Sequence, residues 1–167
     1  MQYDHFSIYG FKIEYPKDWR VELKPKSEKE TGEVAFHSPE RDRMFVFWGI
    51  LEEAKKRYAS LDEHVERTIK KVKKIRGVNS LEVVERKELE MNGHRAIFAL
   101  LKATFIQGFF LRRREVSQEL LSSHLYCEQT ARYFILHGSP RSDEKSTEHA
   151  DVFEHMQKSF RCHTKHI

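Results

Sequence analysis

Cysteine is scarce in this 167-residue chain, which carries only Cys127 and Cys162. Two thiols do not make a disulfide-stapled scaffold, and in a reducing cytosol they stay free. Seven glycines and four prolines are too few for a collagen-like, low-complexity or linker-rich architecture. No apolar run approaches the roughly 20 residues that a membrane-spanning helix needs. The opening Met1-Gln2-Tyr3-Asp4-His5-Phe6 lacks the basic and then apolar regions of a secretory leader, so the expected location is cytoplasmic. Nor does charge of one sign dominate: 30 Lys plus Arg against 26 Asp plus Glu leaves +4, which permits an acidic partner without requiring one. Asparagine occurs only at Asn79 and Asn92 beside abundant Glu and Lys, a composition met in heat-adapted proteins, whose cytosols can keep disulfides. Phosphate-loop and dinucleotide fingerprints are missing, as is a nucleophile elbow, so no cofactor is expected and no catalytic motif is found.

What is present reads as one domain, residues 1–167, large enough to bury a substantial core. Phe11, Ile13 and Tyr15 alternate with Lys12 and Glu14 until Pro16, and Trp19, Val21 and Leu23 resume the period of two. Trp19 is expected to be largely buried. Lys24 to Gly32 is a charged loop by composition, Val34 and Phe36 begin another strand, and Met44–Leu51 suits a strand buried on both faces. A helix is expected over 60–76. Ser60-Leu61-Asp62-Glu63 is a capping box, and Leu61, Val65, Ile69, Val72 and Ile75 make one apolar stripe. Acid comes early and base late along it, as the helix dipole prefers. A meander follows: a strand over 81–91, an Asn92-Gly93 hairpin turn, and a strand over 94–106. A turn holding Gly108 leads to a strand over about 115–127, then one over 133–137. A closing helix over about 147–161 places Val152, Phe153, Met156 and Phe160 on one face. This pattern spells α+β, an antiparallel sheet with helices packed on it.

An ordered set of segments resembles the PsbP-like family. It runs from Gly10-Phe11-Lys12-Ile13-Glu14-Tyr15-Pro16-Lys17-Asp18-Trp19 through Phe36-His37-Ser38-Pro39 and the Ser60-Leu61-Asp62-Glu63 helix start. Asn92-Gly93-His94-Arg95-Ala96, Tyr133 to Ser139 and the closing Lys158-Ser159-Phe160 complete it, covering about residues 10–161. The resemblance implies an α/β/α sandwich around a central antiparallel sheet, the fold shared by the photosystem II extrinsic subunit PsbP and the Ran-binding factor Mog. It further implies a binding protein; the particular roles of those two do not carry over from fold alone.

Ten histidines raise the question of a metal. The densest group is His149, His155, Cys162, His163 and His166. The six-residue step between His149 and His155 does not set them side by side on a helix, and the last three converge only if the tail folds back. The expectation is no metal site. Cys127, three residues after His124 on a strand, faces the other way and reads as a small buried hydrophobe, and Ser139 reads as a strand exit. Glu119 and Glu128 are placed to approach Lys or Arg across the meander, but a solvated sheet face explains them. The basic end of the first long helix, Lys70 to Arg76, is a solvated helix terminus.

Phe109-Phe110-Leu111-Arg112-Arg113-Arg114 is harder to absorb. Three apolar residues beside three arginines at a hairpin end fit a contact with phosphate or with an acidic protein surface. The competing expectation is that Phe109 to Leu111 tuck under a helix while the arginines stay wet. Phe109, Phe110, Arg112, Arg113 and Arg114 are therefore the candidate partner-binding residues. The expected function is a non-enzymatic binding module for a protein partner or a second copy of itself. The alternatives are weak nucleic-acid or anionic-surface binding through Arg112–Arg114, and a small-molecule or metal-assisted enzyme in a cleft between sheet and helix.

Overall fold

The computed structural model describes residues 1–139 and 147–164; the Pro140 turn and His166 lie outside the described residues. Strands β1 (Tyr3–Ile8) and β2 (Phe11–Pro16) form a two-stranded hairpin. A seven-stranded antiparallel sheet contains β3 (Arg20–Leu23), β4 (Gly32–His37), β5 (Arg43–Ile50), β6 (Val78–Met91), β7 (His94–Gln107), β8 (Arg114–Cys127) and β9 (Arg132–Ser139). Their spatial order is β3-β4-β5-β9-β8-β7-β6. The helices are α1 (Leu51–Arg57), α2 (Leu61–Lys73) and α3 (Thr147–Ser159).

Period-two alternation divides the sheet's side chains between two covered faces. One face presents Val34, Phe36, Met44, Val46, Trp48, Leu125, Phe134 and Leu136. These pack with Phe11 and Ile13 of the β1–β2 hairpin and with Val152, Phe153, Met156 and Phe160 of α3. Phe11 sits at the centre, with its ring centroid 5.0 Å from Trp48, 5.5 Å from Phe134 and 6.0 Å from Phe160. The other face presents Ile97 and Tyr126 to Leu61, Val65 and Ile69 of α2. Helices on both faces of an antiparallel sheet make the α+β sandwich that the sequence pattern implies.

The long local elements match expectation. Ser60 caps α2, its hydroxyl accepting from the Glu63 N–H at 3.1 Å. The Glu63 carboxylate reaches one residue further back than a standard box, accepting from the Ala59 N–H at 2.5 Å. Asn92 (φ 51°) and Gly93 (φ 82°) both take left-handed backbone, the type I′ geometry that matches strand twist, and join β6 to β7. Glu128 meets Lys55 at 2.6 Å, a partner on α1 rather than across the meander.

Two expectations are corrected and one strand is added. Strand β1 pairs with β2 from Tyr3↔Pro16 to Ile8↔Phe11, although its own alternation is weak. The Met44–Leu51 run is buried fully on one side and half on the other, and Leu51 already belongs to α1. Trp19, as expected, packs largely buried against the edge of the core. Ile75 drops out of the apolar stripe and is 53% exposed, because α2 ends at Lys73.

Candidate functional site

Strands β7 and β8 run in register from Ala96↔Leu125 to Gln107↔Arg114, and the loop at their far end carries the candidate segment. Phe109, Phe110 and Leu111 are 86%, 90% and 103% exposed, which overturns the expectation that they tuck under a helix. The loop has a defined shape. A single 3₁₀ turn spans Phe110–Arg112, closed by the Arg112 N–H donating to the Phe109 carbonyl at 3.2 Å. Gly108 has φ 101°, and a Cβ there would collide with the Arg112 carbonyl oxygen. Phe110 itself sits at φ 54°, a left-handed conformation that costs a bulky residue about 1 kcal/mol or more. The backbone thus spends energy holding an aromatic ring in water, with exposed Arg112, Arg113 and Arg114 just after it.

A second constellation was not anticipated. His94, Cys127, Cys162 and His163 each contribute one nitrogen or sulfur atom to a group lying within 4.8 Å of one another. His94 opens β7 directly after the Asn92–Gly93 turn, and Cys127 closes β8. Each lies two residues beyond the Ala96–Leu125 pair, so both side chains share the face that carries α3. The tail brings the other two. Arg161 and Lys12 exchange backbone hydrogen bonds at 2.9 and 3.0 Å, folding the chain after α3 back along β2 and delivering Cys162 and His163. The condition under which Cys162 and His163 converge, that the chain after α3 folds back, is therefore met. The tail does fold back, and the partners it meets come from the sheet.

Both sulfurs are fully buried. His163 Nδ1 lies 3.2 Å from Cys162 Sγ and 3.6 Å from Cys127 Sγ. The neighbouring Cys162 thiol, the largest influence on Cys127, pushes the Cys127 thiol down to about 4. The same contact, helped by burial, pushes Cys162 up. The Asn92 side-chain amide donates to Cys162 Sγ at 3.3 Å and to the His163 carbonyl at 3.4 Å. Among the described residues, His94 Nε2 is buried with no hydrogen-bond partner.

The remaining histidines of interest are structural. His155 binds Glu14 at 2.7 Å and stacks on Tyr3. His149 is 2% exposed, 3.8 Å from Asp42, beside a cleft of about 130 Å³ that also touches Trp19. That volume holds a few waters and falls below the roughly 300 Å³ of an ordinary ligand pocket. Beneath α2, His64 stacks on Tyr58 and bonds the Tyr126 hydroxyl at 2.9 Å, and burial lowers its pKa to about 4.

No protein-family model matches this chain, and no curated protein matches it by sequence. Solved structures do match it by fold. The cyanobacterial PsbP of Synechocystis sp. PCC 6803 superposes with a TM-score of 0.66, covering 95% of this chain and 91% of its own, at 13% identity. The fold is PsbP-like. A variant of the protein Mog1 superposes with a TM-score of 0.62 over 96% of both chains, at 8% identity. At these identities the PsbP-like likeness concerns architecture alone. No helix among the described residues is long and apolar enough to cross a membrane.

Proposed function

We propose that this PsbP-like chain is a non-enzymatic binding module whose β7–β8 hairpin tip docks onto a protein partner with an acidic surface. The observation that carries this is the exposure of Phe109, Phe110 and Leu111 on a tightly closed turn, with three arginines immediately following. Arginine and aromatic side chains are the usual anchors of protein contacts, and an apolar triplet in water favours association. The three arginines select a partner of negative charge and steer its approach. Edge pairing through β6 is the less favoured mode. That strand carries Glu82, Glu85, Arg86, Lys87 and Glu88 and two register shifts, both of which discourage strand addition.

The test uses the full chain as bait in a native lysate, beside Phe110→Asn and an Arg112/Arg113/Arg114→Ala variant. Asparagine tolerates left-handed backbone, so Phe110→Asn removes the ring while keeping the turn and the stability. The expected result is a specific partner lost with Phe110→Asn and captured less well as salt rises. Capture that depends on the arginines but not on Phe110, accompanied by a steep salt dependence of oligonucleotide binding, transfers the reading to nucleic acid. Capture and oligomeric state unaltered by either variant refutes it.

A further inference from the structure

We propose that His94, Cys127, Cys162 and His163 bind one zinc ion in a closed structural site that clasps the chain after α3 to the sheet. The donor set is the first reason. Two thiolate sulfurs and two imidazole nitrogens are the ligands that select zinc over hard cations such as magnesium and calcium. Two thiolates neutralise the ion, so the complex adds no net charge to a buried place.

Geometry is the second reason. Zinc bond lengths of about 2.3 Å to sulfur and 2.0–2.1 Å to nitrogen give a tetrahedron with edges of about 3.3–3.8 Å. The two separations to His163 Nδ1, 3.2 and 3.6 Å, are close to such edges, and all four donor atoms lie within 4.8 Å of one another. A small contraction completes the polyhedron.

The surroundings are the third. Asn92 donates to Cys162 Sγ and to the His163 carbonyl, the kind of outer contact that orients ligands and tempers thiolate charge. It also approaches His163 Nδ1 at 3.3 Å. An amide nitrogen has only hydrogens to offer, so this favours the tautomer whose Nδ1 lone pair is available. Among the described residues His94 Nε2 is buried without a partner, a polar atom that a dry cluster of thiols leaves unexplained.

Four protein ligands leave no open coordination position, so the ion has a structural rather than a catalytic task. The ligands come from the start of β7, the end of β8 and the segment after α3, so one ion would cross-link three parts of the chain. This proposal stands independently of the hairpin tip, which lies at the opposite end of β7.

The experiment strips the full chain with chelator under reducing conditions, then titrates it with Zn²⁺, and separately with Co²⁺ as a coloured probe. Expected are one zinc per chain, protection of both thiols from a thiol reagent, and a tetrahedral thiolate–cobalt spectrum. The unfolding midpoint should rise by about 5 °C or more when zinc is well in excess of its dissociation constant. Cys127→Ser and His94→Gln should each weaken zinc binding by at least tenfold, on the order of an outer-contact loss or more. His155→Gln, outside the cluster, should leave zinc affinity and stoichiometry unchanged. His94 is half-buried, so its variant remains informative if Cys127→Ser fails to fold. Zinc uptake that leaves both thiols reactive, uptake unchanged in His94→Gln, or no stoichiometric uptake after reduction overturns the proposal. A Cys127–Cys162 disulfide in the purified chain, with no uptake once reduced, overturns it in favour of a redox pair.

Discussion

Replacing His124 by leucine should make this protein less sensitive to acid. His124 is 1% exposed on the α2-facing side of β8, and burial foremost, with the nearby His64, His137 and Arg86, lowers its pKa to about 3. Its neighbour on α2 is Thr68, 3.3 Å from His124 Nε2; the Thr68 hydroxyl already donates to the His64 carbonyl at 2.9 Å. A leucine therefore strands no hydroxyl, and it removes His124 Nδ1, which is buried without a hydrogen-bond partner among the described residues. The sign follows from proton counting. In the unfolded chain the histidine titrates near 6.5, whereas in the fold it stays neutral until about pH 3, so between these values the unfolded state holds one more proton. Stability rises with pH across that window and is lost as pH falls through it. One such proton is worth about 1.4 kcal/mol per pH unit where the difference is complete. His64 and His137, both lowered to about 4 mainly by burial, add to the wild-type slope in the same direction. Denaturant unfolding at pH 7.5, 6.0 and 5.0 should show His124→Leu within about 1 kcal/mol of wild type at pH 7.5. Towards pH 5 its slope should be shallower by about 1.4 kcal/mol per unit. Identical slopes in the two proteins would refute the argument, as would a leucine variant that loses stability faster in acid.

Three further substitutions test the packing. Gly32→Ala drives a methyl into the indole of Trp48, which is 2% exposed and pinned by its Nε1–H donating to the Glu28 carbonyl at 2.9 Å. Calorimetry should show a loss of about 1–3 kcal/mol, and an unchanged midpoint would mean that the indole is free to move. Phe160→Ala removes a fully buried ring 5.2 Å from Phe134 and should cost about 3–5 kcal/mol by urea unfolding, loosening the Arg161–Lys12 tether next to it. Ser60→Ala deletes the α2 cap and should cost about 1 kcal/mol, read as a lower urea midpoint with an unchanged denaturant slope.

The elements legible in the amino-acid sequence are those whose cause is local. The Ser60 cap and the stripe beginning Leu61 and Val65 locate α2, because both depend on contacts within a few residues. The Asn92-Gly93 pair sets the β6–β7 turn, because few residues accept two successive left-handed conformations. Alternation places β7, β8 and β9 to within a residue or two, and the face shared by Val152, Phe153, Met156 and Phe160 orients α3. Helix α1 escaped notice because it continues an apolar strand without a break and has no side-chain cap at Ile50. The run Phe109 to Arg114 announced itself as unusual, but whether its rings are wet or buried depended on how far β7 and β8 extend. The histidine–cysteine cluster was invisible in the sequence for a stricter reason. Its four donors belong to three segments that spacing does not relate, and they meet only through the β7–β8 register and the two hydrogen bonds that turn Arg161 back onto Lys12. Local propensity determines helices and turns; the meeting of distant side chains is decided by how strands pair and where a tail is pinned.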